Sequence, residues 1–464
     1  MNKIITRLPI CFSVLFLSIV FSFNSCDSFV EVELPKSQLT AAKVFEDNMT
    51  ADAAMTDIYA KIRDKGLLTG TQLGISNCLG IYTDELNFYG PPSNSGTGFY
   101  TNTILPSNSI ISLFWNNSYN QIYAANAVLE GIQASSALNS KEKAQLEGEA
   151  HFVRGLLHFY LLQLFGDIPY LYSTDYKVNS TAKRIPEYEI YNNVISDLKT
   201  AEKLLPITYL NTERIRPNSF TAKALLARVY LYQKDWENAA KLSTEVIENK
   251  SLYVFENNPE KVFLKNSTET IWQFIPSLAG KNTDEGTLFY FASGPPQLVA
   301  ISQSLMDSFT ANDARKLKWT TAVSNVSGTW YYASKYKENK STASSKEYSI
   351  VLRLTEQYFI RAEARTHLND HLGAKEDLHK IINRAGLADI TSSSKEEILS
   401  AIAEERRKEL FTEYGHRFFD LKRNSKLDIT LASKPGWETT DRLLPVPETE
   451  FLVNPNLGFQ NPGY

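Results

Sequence analysis

The chain is 464 residues long, 43% hydrophobic and 22% charged, with a formal net charge of −4. That length allows a large buried core in one domain or two intimate ones, and the composition is that of a globular protein rather than a disordered one. The slight acidic balance offers nothing to nucleic acid, so partners of that class are excluded.

The first 25 residues read as a secretory signal peptide. Lys3 and Arg7 make a basic start, residues 8–23 are almost wholly apolar, and small Ser25 precedes Cys26. About twenty apolar residues are needed to span a bilayer, and this run is shorter. A cysteine just after a small residue at the cleavage point predicts lipidation of Cys26, with the membrane reached through acyl chains alone. Cys11 leaves with the signal and Cys78 then stands alone, so no internal disulfide is expected.

Apolar Ala54, Ile58 and Ile62 recur at helical spacing, which predicts a helix over 45–65 stopped by Gly66. From residue 75 to 108 the chain reads as one long irregular stretch, because Pro91, Pro92, Gly96 and Gly98 forbid regular structure there. Its rings (Tyr82, Phe88, Tyr89, Phe99, Tyr100) mark it as a functional loop. Helices resume with an apolar stripe through Phe114, Trp115, Tyr119, Ile122 and Leu129. Ser140 opens the next, Gly166 closes it, and two more are expected over 188–205 and 220–232.

Two later stretches are alike. In "AKALLARVYLYQKDWENAAKLSTEVIE" Ala227 and Ala239 are twelve residues apart, with Trp236 between; in "QYFIRAEARTHLNDHLGAKEDLHKIINRAG" Ala362 and Ala374 repeat the spacing. The pattern resembles the tetratricopeptide helix pair, whose small residues let helices approach closely and whose units must stack to bury their apolar faces. Between the pairs, residues 251–349 form an aromatic, loop-rich insertion with strand character in "ETIWQFIPS". A last helix opens at a Ser394–Glu397 capping box. The proline-rich tail after it is expected to run extended over the surface.

Three motifs occur in order: "RGLLHFYLLQLFGDIPY" at 154–170, "ERRKELFTEYGHRFFDLKR" at 405–423, and "LLPVPETE…NPNLGFQNPGY" at the C-terminus. With the lipoprotein start they resemble the SusD/RagB family of Bacteroidetes outer-membrane nutrient-binding lipoproteins, across nearly the whole mature chain. The acids Asp27, Glu31 and Glu33 resemble that group's surface-export signals, and Asp313-Ala314-Arg315 resembles its Asp-Pro-Arg with Ala in place of Pro. The resemblance implies a mostly α fold, a tetratricopeptide-like scaffold interrupted by the insertion. The expected divisions are 1–25 signal, 26–220 with the ligand loop, and 221–464 containing the insertion. It also implies a SusC-type TonB-dependent transporter as partner, an oligosaccharide or polysaccharide ligand, an outer-membrane location facing the exterior, and no enzymatic activity or cofactor. A peptide ligand and a non-catalytic scaffold for other surface proteins are the alternatives.

The residues themselves offer little chemistry. His367, Asp370 and His371 come nearest to a metal pattern, but they lack the general-base Glu of a zinc protease and fall at a repeat turn. Asp84-Glu85 is a carboxylate pair, yet neighbours in one loop rarely flank a glycosidic bond from two sides. Arg417, Asp420 and Arg423 near Glu405 and Glu409 read as an ion-pair network; Trp115 and Trp236 read as core. No metal site and no catalytic residue is expected.

Ligand contacts are expected where rings occur without helical period. These are Asp84, Asn87, Phe88 and Tyr89 in the loop, Tyr290 in the segment 288–291, and Trp330, Tyr331 and Tyr332. A pyranose lays its C–H face on a ring and offers hydroxyls to polar side chains, for which Asp84, Asn87 and Lys335 are the candidates. Trp330-Tyr331-Tyr332 read as a strand would instead turn one face to the core.

Overall fold

The computed structural model describes residues 41–391 and 394–464. The expected signal peptide, Cys26 and the acids after it lie outside the described residues. Helices dominate: α1 (Asn48–Lys65), α2 (Ser109–Ala134), α3 (Ser140–Phe165), α4 (Glu187–Leu204), α5 (Ser219–Tyr232), α6 (Trp236–Glu248), α7 (Leu354–His367), α8 (His371–Arg384), α9 (Lys395–Leu410) and α10 (His416–Arg423). Each packs on the next in chain order. The order holds even across the insertion, because α6 lies directly against α7. α5 runs through the expected boundary between residues 220 and 221.

The caps explain the helix starts. Asp47 accepts the first free amides of α1, so that helix begins at Asn48 rather than Phe45. Asn139, not Ser140, caps α3, in a box with Glu142. The box at Ser394 and Glu397 is present as expected, and Gly166 ends α3 at φ +73°, the left-handed region open to glycine. The second half of α3, from Phe152 to Phe165, is buried on every side, which makes it the central helix.

The repeat alanines pack as the spacing requires: Ala227, Ala239, Ala362 and Ala374 are all buried. Trp236 is half-buried rather than core, its indole stacked on the His367 imidazole at 3.8 Å. Asp370 caps α8 through the Gly373 amide. Among the described residues no group of His, Cys, Asp or Glu is arranged to hold a metal.

Two irregular expectations are corrected. Residues 75–82 form a helix, Ile75–Tyr82, buried along its whole length, and Tyr82 and Phe99 belong to the core. The proline-rich tail is docked, not loosely extended: Leu444 donates its amide to Leu164 O at 2.8 Å, and Leu444 and Val446 are buried. A short helix, Glu448–Val453, follows Pro447, since proline is tolerated ahead of a first turn.

Strands come in antiparallel pairs. β1 (Leu86–Phe88) pairs with β3 (Val299–Ile301), β2 (Thr270–Phe274) with β6 (Ser349–Arg353), and β4 (Thr320–Asn325) with β5 (Gly328–Ala333). β2 and β6 therefore close the base of the insertion. β2 is buried at every position, so its alternating sequence does not mark an exposed face.

Charged residues are buried at the joints between these parts. Glu409 of α9 accepts from Arg353 at 2.8 Å and from Arg384 at 2.5 Å. Burial opposes its charge, but Arg384, Arg353 and Arg315 overcome that and hold its carboxyl at about 2. Asp313 caps the helix Ala314–Trp319 and takes the Arg315 guanidinium at 3.0 and 2.8 Å, which gives the Asp-Ala-Arg motif a structural purpose.

Candidate functional site: a platform of rings from three segments

Three stretches far apart in sequence meet beside the scaffold. The β1–β3 pairing sets Asn87 opposite Ala300 and Phe88 opposite Val299, and the Tyr89 amide extends it to Leu298 O at 2.7 Å. β3 in turn lies beside β5. Across the β4–β5 pair, Val323 faces Trp330, Ala322 faces Tyr331, and Thr321 faces Tyr332. Strand alternation puts Trp330 and Tyr332 on one face and Tyr331 on the other, where it packs partly on the core.

On the outer face Tyr332 gathers two further rings. Tyr332 meets Tyr290 edge-on at 5.5 Å and Phe291 at 5.4 Å. The Trp330 indole covers Gly294, where a Cβ would stand 2.1 Å from the ring, so only glycine allows the approach. Asn325 at the hairpin turn fixes that backbone by donating to Gly294 O at 2.5 Å. Phe88 stands 6.1 Å from Tyr100. Tyr89 and Tyr290 are 38% and 42% exposed, and Phe88, Trp330, Tyr331 and Tyr332 are half-buried. Rings held at their rims but open on a face supply contact area at small entropic cost.

The polar groups sort differently from expectation. Asn87 keeps a half-buried side chain with no hydrogen-bond partner among the described residues. Asp84, expected as a sugar contact, is turned inward: Arg417 takes both its oxygens at 2.8 Å and Arg407 shares Oδ2 at 2.8 Å. Burial raises the Asp84 pKa, but Arg417 and Arg407 outweigh it and hold the group below its ordinary value. Lys335 is a plain correction. It is buried, donating to Glu409 O at 2.7 Å and Phe411 O at 2.8 Å and paired with Glu413, so it caps the end of α9 and has no rim role. Burial lowers it to about 8.

Glu85 is buried as well, and burial, then the Asp84 charge, push it up to about 7. Lys434 donates to Thr83 O at 2.6 Å and to Ile81 O, closing the end of the helix Ile75–Tyr82 just before the platform begins. The charged group read as one network divides: Asp420 takes Arg406 and Arg423, whereas Arg417 goes to Asp84. Gly294 and Asn325 were not anticipated; "SGPP" and the turn "SNVSG" were their only traces in the sequence.

Two family models match, one described as "Starch-binding associating with outer membrane" over residues 81–231 and one described as "SusD family" over 314–464. The chain belongs to the SusD/RagB family. SusD-like protein P2 of Formosa agariphila is 26% identical, over 98% of this chain and 99% of its own length. A laminarin-binding SusD-like protein superposes with a TM-score of 0.77 at 22% identity, over 90% of this chain and 99% of that one. Surface glycan-binding protein A of Bacteroides thetaiotaomicron gives a TM-score of 0.75 at 17% identity, over 90% of this chain and 100% of that one. At these identities the solved structures establish the mostly helical SusD-like fold. The family is one of carbohydrate-binding proteins associated with the outer membrane.

Proposed function

We propose that this chain is a surface lipoprotein that captures oligosaccharides on the ring platform and passes them to a SusC-type TonB-dependent transporter. Lipidated Cys26 tethers it to the outer membrane, facing the exterior. The observation that carries the reading is the cluster of part-exposed rings in which Tyr290 and Phe291 both meet Tyr332, on the same face of β5 as Trp330. Tyr89 and Phe88 extend that surface, and Tyr331 braces β5 from behind. Asp84 acts indirectly, by fixing the root of β1. The fold neighbours that bind laminarin and surface glycans support a sugar ligand.

Catalysis does not enter this reading. A glycosidase needs two carboxyls on opposite sides of the bond. Of the candidate pair, Asp84 is engaged by two arginines and Glu85 is buried.

Affinity electrophoresis in gels holding laminarin or starch tests the proposal. The mature chain is expected to be retarded in one of them, and Trp330→Ala or Tyr290→Ala to lose at least about tenfold in affinity, the equivalent of about 1.4 kcal/mol. Free migration of the mature chain in both gels, or retardation that both variants retain in full, sinks the reading.

A further inference from the structure

The outer face of α2 carries a second concave surface that shares no residue with the ring platform. Asn116, Asn120, Tyr123, Ala127, Glu130 and Ala134 recur along it at helical spacing. Two cavities open on this face and share Tyr123. One, of about 530 Å³, is bounded by residues 169–180 and by the tail around Glu450; the other, of about 500 Å³, ends against Phe45 and Glu46. Each is of the size that holds a small ligand. From Asn116 to Ala134 the face runs about 27 Å at 1.5 Å per residue, long enough for a chain molecule.

The wall is built before any ligand arrives. Tyr119 donates to Pro169 O at 2.8 Å, Asn126 to Leu171 O at 3.0 Å, and Asn179 to Ser173 O at 2.7 Å, so residues 169–179 are tied to α2 and to themselves. Glu130 takes the Thr174 amide at 2.8 Å. The groove is thus preorganised, which lowers the entropic cost of filling it.

Its chemistry selects a class of occupant. Tyr123 is 51% exposed and Tyr176 more so, so two rings present open faces. The side-chain amides of Asn116 and Asn120 have no hydrogen-bond partner among the described residues. The charged lining is acidic throughout, Glu46, Glu130 and Glu450, with no Lys, Arg or His. An anionic polymer, or the acidic stretch after Cys26, would face three carboxylates and no cation in that lining. Rings for C–H faces, amides and carboxylates for hydroxyls, and no cation together describe a receptor for an uncharged polyol chain.

We propose that this groove is a second binding site for a neutral oligosaccharide, an inference that rests on the reading of the chain as a glycan binder. One protein then grips a long polysaccharide at two points, and the second grip raises retention without new contacts at the first.

Isothermal titration of the mature chain with laminarihexaose and maltohexaose separates the two sites. The expected result is two equivalents of one hexasaccharide per chain. Trp330→Ala leaves one equivalent, and adding Tyr123→Ala and Asn120→Ala weakens that one at least tenfold. Tyr123→Phe, which keeps the ring, leaves it within about threefold. A single equivalent that Trp330→Ala abolishes overturns the second site and leaves the platform standing. An equivalent that survives Tyr123→Ala with Asn120→Ala unchanged also overturns it. A wild-type chain that binds neither hexasaccharide overturns the platform reading and this one with it.

Discussion

Asp84 and Arg417 are joined by a two-point ion pair, Nε to Oδ1 and Nη2 to Oδ2, each at 2.8 Å, across 333 positions of sequence. It fastens the root of β1, and so the Asn87–Tyr89 edge of the platform, to α10. Removing the carboxylate leaves two mostly buried guanidiniums, Arg417 and Arg407, without their counter-charge. Asp84→Ala is therefore expected to cost about 3 kcal/mol of stability, measured by urea unfolding. Since the folded Asp84 pKa lies below its ordinary value, the joint stabilises at neutral pH and is lost as pH falls through that lowered value. Asp84→Asn should flatten this acid limb. An unchanged acid limb in that variant contradicts the assignment.

Glu85, its neighbour, behaves oppositely. Its folded pKa of about 7 lies above the ordinary 4.5, so the fold prefers the protonated acid. Stability from this group is present below about pH 4.5 and declines as pH rises to about 7, with a cost of about 3 kcal/mol when ionisation is complete. Glu85→Gln should thus gain on the wild type at pH 8 and lose that advantage near pH 5. Chemical denaturation at both values checks it, and an equal difference at both pH values is the contrary outcome.

Lys335 distinguishes support from contact. Lys335→Met removes the donor to two carbonyls at the end of α9 and the partner of Glu413. A loss of about 3–5 kcal/mol is expected, with oligosaccharide affinity of the folded fraction kept within about twofold. A large affinity loss at unchanged stability would return Lys335 to the rim.

Gly294 offers the reverse experiment. A methyl there collides with the half-buried Trp330 indole, so the ring must shift to admit it. Gly294→Ala is expected to lower glycan affinity about tenfold while thermal unfolding shifts by only a few degrees. Affinity equal to the wild type means that the indole does not touch the ligand.

The scaffold was legible because burial writes itself as spacing. Ala227, Ala239, Ala362 and Ala374 are buried on four helices that pack in succession, and small residues at that spacing let such helices approach closely. The ring segments were legible for the complementary reason: Trp330, Tyr332 and Tyr290 fit no helical stripe. Polar roles were not. Whether Asp84 or Lys335 faces water depends on Arg417 and Glu413, which the chain brings up from far away, and no local pattern encodes that meeting. The helix Ile75–Tyr82 was missed because it is too short and too uniformly buried to show a period. The tail was misread because its prolines start short helices rather than break them: Pro447 caps Glu448–Val453 and Pro455 opens a single turn, Pro455–Leu457.

The direct packing of α6 on α7 has an evolutionary corollary. β2 pairs with β6 at the neck of the hundred or so residues between those two helices, while Arg315 and Lys335 tie that excursion to α9, so only its exposed tips are free to change length at little cost to folding.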